Sequence, residues 1–135
     1  LLKDCMPYIE KKYAVDPEKR GMAGLSMGSY QTVMTTLNHL GMFPYIGIFS
    51  GTQERRWYAK EDYMKAFEDP EVFKERVKVL FFGYGEQEER IVTGLGKQFE
   101  EFKEKGIPYT VYTCPGYHEW TVWRRCLREF LKLLH

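Results

Sequence analysis

From Gly24 to Gly28 the chain reads Gly-Leu-Ser-Met-Gly, a G-x-S-x-G pentapeptide that leaves a short apolar run and opens onto a helix-forming stretch. A serine between two glycines can occupy a strained strand-to-helix turn, because the missing side chains at Gly24 and Gly28 let the backbone close tightly. Such a turn pushes the hydroxyl outward and makes Ser26 a candidate nucleophile for acyl transfer. The chemistry then needs a base to take the serine proton, an acid to hold that base, and N–H donors for the oxyanion.

Histidine suits the base, since its ordinary pKa near 6.5 allows proton transfer at neutral pH. The chain has three. His39, in Asn38-His39-Leu40-Gly41, falls at a helix end, where contact with the last carbonyls is expected. His135 is the final residue. His118 lies in Cys114-Pro115-Gly116-Tyr117-His118-Glu119-Trp120, between a strand and the last helix, and is the candidate base. For the acid, the segment Gly83-Tyr84-Gly85-Glu86-Gln87-Glu88-Glu89-Arg90 offers Glu86, Glu88 and Glu89. At least two of these belong to the solvated acidic start of a helix, favoured by its dipole.

These residues must be brought together by the elements between them. Arg20 to Leu25 reads as a strand, and apolar residues at Met27, Tyr30, Met34 and Leu37 predict a helix running to about Leu40. Tyr45 to Ser50 is a second strand, followed by a loop and helix region to Arg76 with Asp69-Pro70 as punctuation. Val77 to Tyr84 (VKVLFFGY) is the third strand. A helix from about Val92 to Lys105 stops at Gly106, Pro108 to Cys114 is the fourth strand, and Trp120 to Leu134 the last helix. Alternating strands and helices predict an α/β fold with a parallel sheet, whose functional residues gather beyond the carboxyl ends of the strands.

Three segments carry a resemblance: Gly24-Leu25-Ser26-Met27-Gly28-Ser29-Tyr30-Gln31-Thr32, Leu80-Phe81-Phe82-Gly83-Tyr84-Gly85-Glu86-Gln87-Glu88 and Pro115-Gly116-Tyr117-His118-Glu119-Trp120-Thr121-Val122-Trp123. They resemble the esterase family of α/β hydrolases that includes xylanase-attached feruloyl esterases, acetyl xylan esterases, enterochelin esterases and the esterase D type. The similarity covers nearly the whole chain but only the C-terminal part of that family's domain. It implies that residues 1–135 are the C-terminal part of a single catalytic domain, with an α/β-hydrolase-type parallel sheet flanked by helices and the N-terminal strands missing.

In the feruloyl-esterase branch the acid follows a strand-ending glycine by three positions, which falls here on Glu88. Two departures stand out: glutamate replaces the usual aspartate, and Ser29 replaces the second glycine of G-L-S-M-G-G. The resemblance implies a serine carboxylesterase working through an acyl-enzyme on feruloyl or acetyl esters of plant polysaccharides. Ser26 would attack, His118 shuttle the proton and the Met27 N–H supply one oxyanion donor. An acyltransferase on the same fold, or a binding domain without activity, are the alternatives. Tyr117, Trp120 and Trp57 supply aromatic surface for a phenolic acyl group.

The remaining composition narrows the partners. A net charge of +1 without long blocks of like charge gives no case for nucleic acid or an anionic membrane, and no apolar run is long enough to span a bilayer. Cys5, Cys114 and Cys126 lie far apart, as buried thiols rather than metal ligands or a disulfide framework, and the odd number favours the cytoplasm over an oxidising compartment. No metal or organic cofactor is implied. The apolar strand carrying the serine would be an open sheet edge by itself, so a missing N-terminal segment of roughly a hundred residues, or a complementing chain such as a second copy, is expected to cover it.

Overall fold

The computed structural model describes residues 1–51 and 65–134; Trp57 and His135 lie outside them. Four strands form one parallel sheet in the order β1-β2-β3-β4: β1 Gly21–Leu25, β2 Tyr45–Phe49, β3 Val79–Gly85 and β4 Thr110–Cys114. The helices are α1 Cys5–Lys12, α2 Met27–Leu37, α3 Pro70–Arg76, α4 Glu89–Lys105 and α5 Trp120–Leu131. The chain is thus a parallel α/β sheet with helices packed on it, as the expected fold class requires.

Side chains alternate across each strand, and the two faces have different partners. Ile46 and Ile48 of β2 with Leu80, Phe82 and Tyr84 of β3 pack against Val33 and Leu37 of α2, Phe73 of α3, and Leu95 and Phe102 of α4. Tyr45, Phe49, Phe81 and Cys114 point the other way and lie against Val122, Cys126 and Phe130 of α5. With both faces covered, β2 is buried along its whole length and reads as an apolar run. Burial of each large side chain contributes roughly 1.5–3 kcal/mol, which fixes the strands against one another.

Several boundaries differ from expectation for local reasons. Helix α2 ends at Leu37, short of Leu40, where the side chains of Asn38 and His39 bond the carbonyls of Met34 and Thr35. Helix α4 begins three residues earlier than Val92, with Glu89 in its first turn. Its end is as expected, at Gly106 with φ 68°. Strand β3 starts at Val79 and β4 at Thr110, each two residues later than its apolar run suggests, and α5 stops at Leu131. Cys114 and Cys126 are buried, but Cys5 is exposed, because α1 buries none of its residues. Among the described residues no helix is long and apolar enough to cross a membrane.

The register aligns the strand ends. Leu25 pairs with Phe49, Phe49 with Gly83, and Gly85 with Cys114. Beyond each of those ends the chain delivers one polar residue: Ser26, Ser50, Glu88 and His118.

Candidate active site

Ser26 sits between β1 and α2 with φ 52° and ψ −118°, a conformation that costs a non-glycine residue on the order of 1–3 kcal/mol. It occupies the N-cap position of α2 yet makes no side-chain cap. Its hydroxyl is turned instead to His118, with Ser26 Oγ 2.7 Å from Nε2. The turn is closed tightly on one side only. A Cβ on Gly24 would lie 2.1 Å from the Gly28 carbonyl oxygen, whereas one on Gly28 would meet nothing within 4 Å. The expectation that both glycines are required is therefore corrected: the close approach is to the backbone of Gly28 and needs a bare Gly24.

The other side of His118 meets Glu88, with Nδ1 2.6 Å from Oε1. A carboxylate oxygen accepts, so Nδ1 carries the ring proton and Nε2 offers its lone pair to the Ser26 hydroxyl. Glu88 is at the N-cap position of α4 and, like Ser26, does not cap its helix. Its Oε2 accepts from the Gly85 N–H at 2.7 Å and from the Ser50 hydroxyl at 2.6 Å. Glu86 and Glu89 are exposed, so of the three glutamates only Glu88 is buried and bonded to His118. His39 makes the helix-end contact expected of it, its Nδ1 lying 2.9 Å from the Thr35 carbonyl oxygen.

Ser29, in place of the second glycine, is buried and donates to the Ser26 carbonyl oxygen. Room for it exists because the neighbour is glycine: a Cβ on Gly51 would lie 1.7 Å from Ser29 Oγ. Met27 opens α2, so its N–H is one of those without an acceptor inside the helix.

Ser26, Ser50, Glu88 and His118 line a cavity of about 450 Å³ together with Tyr30, Gly51, Gln87, Glu89, Arg90, Ile91 and Tyr117. Tyr117 is thus on its wall. Trp120 is not among the lining residues; it stands edge to face with Trp123, whose ring in turn meets His118. One residue of the site, Ser50, has no place in the sequence reading, and Trp123 is expected there only as aromatic surface beside His118. Ser50 is 2% exposed, and Trp123 donates its indole N–H to Ser50 Oγ at 2.9 Å. The available signal was position, since Ser50 ends an apolar strand beside the one that carries Ser26. Among the described residues no group of three or more His, Cys, Asp or Glu side chains converges as metal ligands would.

Known proteins resemble this chain in sequence and in fold. The model of the family described as "Putative esterase" matches residues 1–134. An endo-1,4-beta-xylanase/feruloyl esterase of Xylanibacter ruminicola is 34% identical over 137 residues, an alignment covering 99% of this chain and 17% of that protein. A ferulic acid esterase superposes with a TM-score of 0.78 at 24% identity, covering 97% of this chain and 57% of the other. An S-formylglutathione hydrolase of Staphylococcus aureus superposes with a TM-score of 0.75 at 17% identity, covering 96% and 57%. The chain therefore spans a sixth of the curated relative and just over half of each of these structures.

Proposed function

The chain belongs to this esterase family, and from that premise we propose that it is a serine carboxylesterase with Ser26 as nucleophile, His118 as general base and acid, and Glu88 as the acid that holds the imidazole. The observation that carries the reading is the unbroken run of contacts from Glu88 Oε1 through His118 to Ser26 Oγ. Ser26 Oγ attacks the ester carbonyl as its proton passes to His118 Nε2, and the oxyanion receives the Met27 N–H. Collapse expels the alcohol, which takes the proton back from His118 and leaves an acyl-serine. Water, deprotonated by the same nitrogen, then releases the acid. The second oxyanion donor comes, on this reading, from a loop of further strands placed beside β1, the edge of the described sheet.

We propose feruloyl or acetyl esters of plant polysaccharides as substrates. The printed name of the Xylanibacter relative joins xylanase and feruloyl esterase. Tyr117, on the cavity wall and largely exposed, offers an aromatic face to a phenolic acyl group. A cavity of about 450 Å³ falls within the usual range for small-molecule sites. A panel of methyl ferulate, aryl acetates and acetylated xylan tests the reading. Ester hydrolysis abolished by Ser26→Ala is expected; acyl transfer to an added alcohol outrunning hydrolysis would overturn it in favour of an acyltransferase.

A further inference from the structure

We infer that Ser50 and Trp123 act as positioning residues for the Glu88–His118 pair, an inference that rests on the serine-esterase reading above. The direction of each hydrogen bond is forced. An indole N–H can only donate, so Ser50 Oγ must accept from Trp123 Nε1. The single hydroxyl proton of Ser50 is then committed to Glu88 Oε2. With the Gly85 N–H on the same oxygen, Oε2 has two donors and Oε1 is left to face His118. A glutamate has one more rotatable bond than an aspartate, and the two donors on Oε2 remove the freedom that this bond adds.

Trp123 acts on both members of the pair. Its ring stands edge to face against His118, with centroids 5.0 Å apart and planes at 88°, while its N–H reaches the carboxylate through Ser50. The backbone supports the same conclusion. Ser50 has φ 48°, a conformation glycine adopts freely and serine does not. Its hydroxyl therefore occupies a site where the backbone alone would favour glycine.

Steady-state hydrolysis of an aryl acetate by the full-length protein tests the inference, with Ser50→Gly, Ser50→Ala, Trp123→Phe and the double variant Ser50→Gly/Trp123→Phe. Ser50→Gly relieves the backbone but deletes the hydroxyl, so it separates the two roles. Both Ser50 variants are expected to lower kcat about tenfold to a hundredfold with little change in KM, the effect of losing a hydrogen bond to a charged group. Trp123→Phe keeps a ring against His118 and should lose less. The double variant should be no slower than Ser50→Gly alone, because both act along one chain of bonds.

The low-field proton resonance of His118 Nδ1–H, identified by its loss in His118→Ala, should move upfield in Ser50→Gly. That signal needs no turnover. Absence of ester hydrolysis by the unaltered protein would sink the esterase reading and leave the resonance to decide the positioning role. Wild-type kcat together with an unmoved resonance in Ser50→Gly would overturn the inference.

Discussion

Glu88 holds His118 Nδ1 at 2.6 Å from a side chain that is 3% exposed, while the imidazole itself is 47% exposed. The buried partner thus sets the orientation of the open one. Glu88→Gln keeps the shape of this contact and inverts its chemistry. The Gly85 N–H and Ser50 hydroxyl both donate to the Oε2 position, so the amide oxygen must take that place and the amide N–H₂ must face Nδ1. The ring proton is then driven to Nε2, against the Ser26 hydroxyl. Such tautomer reversal lowers kcat by about 10⁴ in serine hydrolases. Rates for Glu88→Gln should fall comparably, and those for Glu86→Gln should stay near the parent value; the opposite ranking would move the acid to Glu86.

Gly24→Ala and Gly28→Ala separate the two glycines of the turn. A methyl at 24 would collide with the Gly28 carbonyl oxygen and with Thr32, whereas one at 28 enters open space among the described residues. Overpacking of this kind costs typically 1–3 kcal/mol or more. Gly24→Ala should therefore lower Tm by several degrees, or prevent folding, and Gly28→Ala should melt within about 2 °C of the parent. Equal melting temperatures would contradict the geometry of the turn.

Ser26 and His118 were legible because their neighbours announce them, Ser26 by its flanking glycines and His118 by its place between a strand and a helix. Glu88 was narrowed to three candidates by position, and only the resemblance chose among them; what separates it from Glu86 and Glu89 is burial, which a run of charged residues does not display. Ser50 and Trp123 were not legible as a pair. Their contact spans 73 residues and depends on the register of β2 beside β3 and on where α5 crosses the sheet. All three serines of the chain, Ser26, Ser29 and Ser50, turn out to belong to the site.

The thiols provide a test of packing behind the site. Burial, followed by the proximity of Cys114 and Glu88, pushes the Cys126 thiol from 9.0 up to about 12. The folded protein therefore binds this proton more tightly than the unfolded chain. The corresponding stability is complete below about pH 9 and is lost as the pH rises toward about 12. At pH 8 its thiolate fraction is on the order of one in ten thousand. Iodoacetamide at that pH should alkylate exposed Cys5 and spare Cys126 until the protein is unfolded. Cys126 labelled as fast as Cys5 in the folded state would refute the packing of α5 on the sheet.

The central claim is that Ser26 is an activated nucleophile, and intact-mass analysis after incubation with a fluorophosphonate probe tests it most directly. The account predicts a single adduct on the folded full-length protein, absent from Ser26→Ala and from a heat-denatured sample. A folded protein that takes up no adduct, or an adduct that persists in Ser26→Ala, would contradict it.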